Sequence, residues 1–513
     1  MTRPSRATFL LGGLVALTAL GSAGCAVGPS YRPAAPVPAG TKVGAGAAAP
    51  ATRAFFDSLA AARQVDSLSP RDTGAVTPGA APGAAGALPP RVLRPDSLAD
   101  LAWLDVLKDT TLVALVRTAV TQNRDLQAAA ARIREYRALV GVARAPLFPS
   151  LTATGSASTN KVAFGGTPVS FDALRVTGDL AWELDFWGRT RRGLEAAHAD
   201  LGAQEAAERA VLLSLVSDVA TGYLQLLELD QEQRIAEQTL ASRRTTLQLA
   251  RQRYRQGLIS ELDVRQFEAQ VSAPAATLAQ VERARAQAEH ALDVLLGQTP
   301  RPIARSAAGS LAQAVAALAV PDSLPATLLA RRPDVQQAER ALAAATARIG
   351  VADAARLPTI AITGSYGTQA TTSGDLFKKN SEVYQLQGGI SLPLFTGGRL
   401  VNQSRAARAR ADQARAAYEQ TVLGALREAG DALVAARTAR DEVAAQETQA
   451  QALRRATQLA ELRYRTGVAS YIEVLQAQRD LFAAELALSQ AQLRQLTAGV
   501  QLYRALGGSW VGR

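Results

Sequence analysis

Ten positions around Arg253 recur, in one register, 210 residues further along the chain. Gln248-Leu249-Ala250, Arg253-Tyr254-Arg255, Gly257, Ser260, Val264 and Gln266 return as Gln458-Leu459-Ala460, Arg463-Tyr464-Arg465, Gly467, Ser470, Val474 and Gln476. The same offset pairs Gly188-Arg189 with Gly398-Arg399 and Leu296-Gly297 with Leu506-Gly507. Further upstream the offset is 209, pairing Pro149 and Leu151 with Pro358 and Ile360. The chain is therefore a tandem duplication, with one residue gained between the first and second strands of the second half.

Each half opens with an alanine-rich amphipathic stretch that predicts helix, roughly Thr111 to Ala145 and Pro325 to Ala355. Two strands follow. In the second, Leu174, Val176, Gly178, Leu180, Trp182 and Leu184 alternate with Arg175, Thr177, Asp179, Ala181, Glu183 and Asp185, so one face is apolar and the other polar. By the 210 offset Tyr384, Leu386, Gly388, Ile390, Leu392 and Leu394 fall on the same face, and Leu151 to Ala157 and Ile360 to Tyr366 alternate likewise. Such strands are long enough to cross an outer membrane, which takes about 9 to 11 tilted residues. Four strands cannot close a barrel, because membrane barrels begin at about eight, so a membrane reading requires several chains to share one. A soluble sheet packed on helices is the other reading.

A very long helix comes next in each half. Arg189 to Gln256 and Arg399 to Thr466 are each 68 residues without a proline, about 100 Å of helix. No globular core is that long, so these helices must pack side by side as coiled-coil hairpins. Leu212, Val216, Val219, Tyr223 and Leu226 have the 4-3-4-3 spacing of such a seam. Gly257 and Gly467 stand where each long helix should stop, since glycine accepts the left-handed conformation there. Return helices run from about Glu261 to Leu296 and from about Ile472 to Leu506.

The N-terminus carries an address. Arg3 and Arg6 precede an apolar run from Phe9 to Leu20, then small residues lead to Cys25, the only cysteine of the chain. The run is too short to span a bilayer, and it resembles a bacterial lipoprotein signal cut before Cys25, although Ser22 stands where that signal usually has leucine. Acylation at Cys25 would tether the chain to a membrane. From Pro33 to about Pro95 the sequence is rich in Ala, Pro and Gly and reads as a mostly unpacked linker.

Composition excludes several classes. One cysteine rules out a disulfide framework or a thiolate zinc site, and His198 and His290 leave little for metal or acid–base chemistry. The net charge of +11 is dispersed as arginines along amphipathic helices, with no basic block and interleaved aromatics, so nucleic acid is not the expected partner. No phosphate loop, metal cluster or nucleophile triad is visible, so neither an enzyme, a cofactor nor a metal is expected.

A lipidated chain with two repeats of helix, β-hairpin, long helix, turn and return helix resembles the TolC-type outer membrane factors, and within them the lipoprotein efflux branch typified by OprM. The resemblance rests on Cys25-Ala26-Val27-Gly28-Pro29-Ser30-Tyr31-Arg32-Pro33, on the two Arg-Tyr-Arg-x-Gly segments, on Leu184-Asp185-Phe186-Trp187-Gly188-Arg189 and on Leu394-Phe395-x-Gly397-Gly398-Arg399. It implies a mainly helical chain with membrane strands. Three copies would build a 12-stranded β-barrel continuous with a periplasmic α-barrel. It implies diacylglycerol and palmitate at Cys25, residence in the outer membrane, and partnership with a periplasmic adaptor and an inner-membrane RND pump in exporting small solutes. Ala26 is not the aspartate that retains many lipoproteins in the inner membrane, and the long linker is unusual in the family. The domains expected are a signal peptide (1–24), a lipidated N-terminus and linker (25–96), and two efflux repeats (97–300 and 301–513).

Mapped residue by residue, the family's constriction tyrosine corresponds to Tyr464 and one aperture acid to Glu473, the second acid is matched by Gln476, and Arg479 matches an arginine of the OprM branch. Tyr254 and Asp263 are the first-repeat equivalents. Three symmetry copies of an acid around a narrow axis attract cations, and ion pairs to arginines latch helices; the alternative is solvated acids at helix starts, which the helix dipole favours anyway. The turns at Gly257, Ser260, Gly467 and Ser470 are where an adaptor is expected to dock, or are purely structural. Two further functions stay open: the exit duct of a protein-secreting ABC system, and a lipid-anchored coiled-coil scaffold with no pore.

Overall fold

A computed structural model of the chain describes residues 26–31, 42–44, 109–164, 167–306, 323–466 and 468–508. The signal, Cys25 and nearly all of the linker lie outside the described residues. In chain order the elements are strand β1 (Lys42–Gly44), helices α1 (Thr110–Gln122) and α2 (Arg124–Arg144), strands β2 (Ser150–Phe164) and β3 (Thr167–Leu184), and helices α3 (Arg189–Arg255) and α4 (Glu261–Leu295). The second repeat follows with β4 (Ser323–Pro325), α5 (Pro333–Ala354), β5 (Thr359–Ala370), β6 (Glu382–Ser391), α6 (Arg399–Arg465) and α7 (Tyr471–Ala505). The long and return helices end within a residue of where the glycines and apolar seams place them.

The chain divides into two compact units, each drawing on both repeats. The first holds the sheet β2-β3-β5-β6, most of α2 and α5, and α3 and α6 up to residues 207 and 421. Every neighbouring pair is antiparallel, so β3 of the first repeat hydrogen-bonds to β5 of the second while β2 and β6 are edges. Directly opposed residues share a face. The register sets Leu151, Leu180, Gly364 and Leu386 in one row and Ala153, Gly178, Tyr366 and Tyr384 in another, with Trp182 beside Ile362 and Leu184 beside Ile360 and Ile390. As far as Ser391 the apolar face predicted from the alternation lies on one side of the sheet, and Leu151, Tyr366, Tyr384, Leu386 and Ile390 are exposed. On the other face Arg175 donates to Ser365 at 3.2 Å. One expectation is corrected here: Leu392 and Leu394 lie beyond β6, which ends at Ser391 opposite Thr359. Pro393 has no N–H to give to the ladder, and the alternation outruns the strand.

The strand-to-helix junction of the first repeat is built from the Leu184 to Arg189 segment. Both Asp185 carboxylate oxygens accept from the first turn of α3, from the Thr190 N–H at 3.0 Å and the Arg191 N–H at 2.9 Å. Trp187 donates its indole N–H to the Pro358 carbonyl at 2.6 Å, tying the junction to the start of β5. Residues 26–31 lie against it. The Val27 N–H donates to Trp187 O at 2.9 Å, Arg192 donates to Gly28 O at 3.1 Å, and the Tyr31 hydroxyl donates to Glu339 at 3.2 Å. Gly28 has φ +102°, and a Cβ there would stand 2.4 Å from the Gly350 Cα, so only glycine fits.

The second unit is helical apart from β1, which pairs with β4; this short strand is the described exception to the unpacked linker. Its core gathers Leu112, Val116, Val216, Val219, Tyr223, Leu226, Leu292, Leu296 and Val500, so the predicted seam is buried, with Leu212 packed at its margin. The Tyr223 hydroxyl donates to Asp109 Oδ2 at 3.0 Å and accepts from the Ser306 N–H at 3.2 Å, so no polar group is stranded by its burial.

The first helical stretch is two helices rather than one. Asn123 breaks it, accepting from the Leu126 N–H at 3.0 Å to cap α2 and donating to Leu295 O at 3.0 Å. The second repeat makes the same closure with another residue: Arg332 donates to Ala505 O at 2.8 Å and pairs with Asp334 and Glu428, both at 2.7 Å. In each repeat the start is thereby clasped to the end of the return helix. Gly297 and Gly507, at φ +68° and +75°, let the two backbones meet. A Cβ on Gly297 would stand 2.3 Å from Gln122 O. Gly297→Ala should cost about 2 kcal/mol or more, from left-handed strain and a backbone clash. Gly141→Ala, in the open interior of α2, should stabilise by about 0.5–1 kcal/mol. Denaturant unfolding of the purified full chain checks both signs, and a neutral Gly297→Ala would remove the clasp from the account.

Candidate functional site

The two helix hairpins, α3 with α4 and α6 with α7, each turn over at the segment that the repeat repeats best. After Arg255 the chain reverses through a Schellman turn: the Gly257 N–H donates to Tyr254 O at 2.9 Å and the Leu258 N–H to Arg253 O at 3.0 Å, with Gly257 at φ +74°. The second turn repeats the outer bond, from the Val468 N–H to Arg463 O at 2.9 Å. Gly467 itself lies outside the described residues. Each turn exposes two large apolar side chains, Leu258 and Leu262 in one and the equivalent Val468 and Ile472 in the other.

Beyond the turns the repeats diverge. Ser260 caps α4 with a reciprocal box: its hydroxyl accepts from the Asp263 N–H at 3.3 Å, and Asp263 Oδ2 accepts from the Ser260 N–H at 2.9 Å and its hydroxyl at 2.8 Å. Asp263 is thus committed to the helix start. At Ser470, the N-terminal residue before α7, no side-chain cap is made. The equivalent acid, Glu473, lies instead 3.7 Å from Arg463, with both side chains about half exposed. Gln476 and Arg479 are exposed on the next turns of α7. Among the described residues Arg479 forms no ion pair, so the arginine facing Glu473 is Arg463 and not Arg479.

Tyr464 has the richest surroundings. Its hydroxyl accepts from Arg253 Nη1 at 2.7 Å, and that guanidinium lies 5.3 Å from the ring centroid. Its ring lies 5.2 Å from that of Tyr471, which is 3.8 Å from Phe267. Arg253, Phe267, Tyr464 and Tyr471 come from α3, α4, α6 and α7 in turn, so one cluster joins both hairpins near their turns. Burial raises the Tyr471 hydroxyl well above the usual phenol range and keeps it neutral. Tyr254, the first-repeat equivalent of Tyr464, is exposed. Sequence reasoning found Tyr464 and missed Phe267 and Tyr471. The signal available was a broken repeat: Ala477 stands at the equivalent of Phe267, and Glu261 at that of Tyr471.

Among the described residues no group of three or more His, Cys, Asp or Glu could hold a metal. The chemistry on offer at the turns is non-covalent: apolar contacts, a cation–aromatic cluster and one exposed ion pair.

Comparison with known proteins agrees with this architecture. The sequence model of the family described as outer membrane efflux protein matches residues 115–298 and 324–508. The probable efflux pump outer membrane protein TtgC of Pseudomonas putida KT2440 is 36% identical over 422 residues, 80% of this chain and 86% of that protein. The pyoverdine export outer membrane protein OpmQ of the same organism is 34% identical over 449 residues, 85% of this chain and 93% of its own length. Among solved structures, the outer-membrane channel OprN superposes with a TM-score of 0.73 at 33% identity, covering 80% of this chain and 92% of that one. CusC superposes with a TM-score of 0.77 at 28% identity, over 94% and 100%.

The unequal caps of the two turns can be measured. Ser260→Ala removes a side-chain cap and should cost about 1 kcal/mol, whereas Ser470→Ala should be nearly neutral. Hydrogen exchange at the first turns of α4 and α7 reads the difference; equal losses of protection would contradict the assignment.

Proposed function

The chain belongs to the outer membrane efflux protein family, and on that premise we propose that three copies share one 12-stranded barrel and that their helices form the duct behind it. As in its relatives, the function is that of an outer membrane efflux channel. The observation that carries the trimer is the sheet: one continuous exposed apolar face and two unpaired edges, on four strands that cannot close by themselves. Nothing in the proposed role calls for covalent chemistry.

The partners follow from the ends. The exposed apolar pairs Leu258–Leu262 and Val468–Ile472, with Gly257, Ser260, Gly467 and Ser470 beside them in sequence, are the proposed docking points for a periplasmic adaptor, which links the duct to an inner-membrane RND pump. In the unit that holds the sheet, Ala26 and Val27 lie against Gly188 and Trp187, just beyond the end of β3. An acylated Cys25 would therefore leave the protein beside the sheet, at the level where lipid begins, and diacylglycerol and palmitate there would anchor each copy. The solutes proposed are drugs, solvents or other small organic molecules, the classes named for its relatives.

The proposed aperture consists of Tyr254, Asp263, Tyr464, Glu473, Gln476 and Arg479. Tyr464 and Glu473 would carry most of it, since Arg253 and Arg463 hold them and Asp263 is engaged in capping. Gln476 leaves the acidic ring at one acid per repeat.

Reconstitution of the full chain in a planar bilayer tests the reading. The expected result is a small, discrete conductance from a particle of three copies; a detergent-independent monomer that never conducts overturns it. Glu473→Gln should raise the conductance or antibiotic leak, and unchanged single-channel traces would take Glu473 out of the gate. For the anchor, Cys25→Ser should abolish incorporation of labelled palmitate, and undiminished labelling would place acylation elsewhere.

A further inference from the structure

Glu228 is a carboxyl in the wrong place for a charge. It sits on α3 at 4% exposure, facing away from solvent, and its Oε1 has no hydrogen-bond partner. One turn on, Glu232 supplies a second acid. The groups that α7 brings to them are neutral or already taken. Ser489 is a buried neutral hydroxyl beside Glu228, and Gln490 donates its amide to Glu232 at 2.9 Å. The one cation of α7 at this level, Arg494, is held by Glu442 of α6 at 2.6 Å. On α4, Arg285 is bound to Gln233 and lies 3.9 Å from Asp230, while Glu289 is paired with Arg305. No cation lies within ion-pair distance of Glu228 or Glu232 among the described residues.

The second repeat shows that the hairpin does not need this arrangement. Glu442 stands at the equivalent of Glu232 and is neutralised by Arg494, while Thr438 replaces Glu228. The first repeat alone has two acids and no base.

We propose that Glu228 and Glu232 are a proton-holding pair between α3 and α7, which keeps these helices tightly packed while it holds a proton and loosens them when it gives the proton up. The physical reason is that an unpaired buried carboxylate is far costlier than a neutral carboxylic acid, and two adjacent carboxylates costlier still. Burial is the larger cause and Glu232, by charge and hydrogen bond, the next; together they outweigh the Ser489 hydroxyl and the more distant Arg494, which act the other way, and push the Glu228 carboxyl up to about 8. Folding thus raises its proton affinity, so the stability it contributes is full below the usual carboxylate range and is lost as pH rises toward 8. The compartment around the helices would supply the proton. The device is independent of the aperture residues at the turns and does not rest on the gate.

The test is pH-difference infrared spectroscopy and thermal unfolding of the full chain in detergent from pH 5 to 9. The wild type should show a protonated-carboxyl band that disappears with a midpoint near pH 8 and a melting temperature that falls over the same approach. E228Q, which mimics the protonated acid, should lack the band and melt above the wild type at pH 8 to 9, with the two converging at pH 5. E232Q should fold with Glu228 intact and lower the midpoint, which keeps the test decisive even where E228Q folds poorly. A band that survives E228Q, a midpoint in the ordinary carboxylate range, or an E232Q midpoint that stays where it was overturns the proposal.

Discussion

Strands β2 and β6 each find a hydrogen-bonding neighbour on one side only. In water such edges are tolerable; in hydrocarbon every unpaired N–H and C=O costs several kcal/mol, and the cost is repeated along the whole strand. The apolar face adds a second demand, since it runs across all four strands and nothing among the described residues covers Leu151, Tyr384 or Ile390. In the proposed assembly lipid satisfies the face and further copies satisfy the edges. On the proposed trimer, β6 of one copy continues to β2 of the next. The sheet is tied to α3 by the Asp185 cap and to the start of β5 by the Trp187–Pro358 bond, so closing the proposed barrel also sets where α3 begins.

Duplication explains which features are doubled and which are not. The two repeats share what the fold requires: the outer turn bond back to the first arginine of each Arg-Tyr-Arg, a left-handed glycine after each return helix, and a clasp from that helix to the start of its repeat. The clasp is chemically different in the two, an asparagine in one and a buried arginine with two acids in the other, so the same closure is reached with different residues. Departures fall elsewhere. The capping box is present in one turn only, the aromatic pair Phe267–Tyr471 takes one ring from each repeat, and Glu228 has an acid where its equivalent is threonine.

What could be read from the sequence was whatever has a period. Alternation located the sheet and its apolar face, and the 210 offset with its glycines placed the ends of α3, α4, α6 and α7 to within a residue. What escaped has no period. The break at Asn123 interrupts an amphipathic pattern that runs on through it, because the asparagine is satisfied by Leu295, 172 residues away. The end of β6 was overrun because Leu392 and Leu394 keep alternating past Pro393. At the turns, Tyr464 was legible through family resemblance, but its partner Arg253 and the ring stack beneath it are tertiary facts, as is the choice of Arg463 over Arg479 for Glu473.

The energies at the turns bear on how such a duct can be opened at all. The core of the second unit is sealed around Tyr223, Leu226 and Leu292, and separating those residues would cost about 1.5–3 kcal/mol for each large side chain exposed. The contacts proposed for the aperture are of another order. The Arg463–Glu473 pair is half exposed, and such pairs are worth about 0.2–1 kcal/mol, with the Arg253–Tyr464 contact adding about as much. Three copies together amount to a few kcal/mol, close to the ~5.5 kcal/mol that carries a two-state equilibrium from nearly all closed to nearly all open. A partner that binds the exposed apolar side chains of the turns better in one state than the other can supply that difference. The helices can then shift at their ends while the core behind them stays packed, and the opening need not be driven by anything stronger than docking.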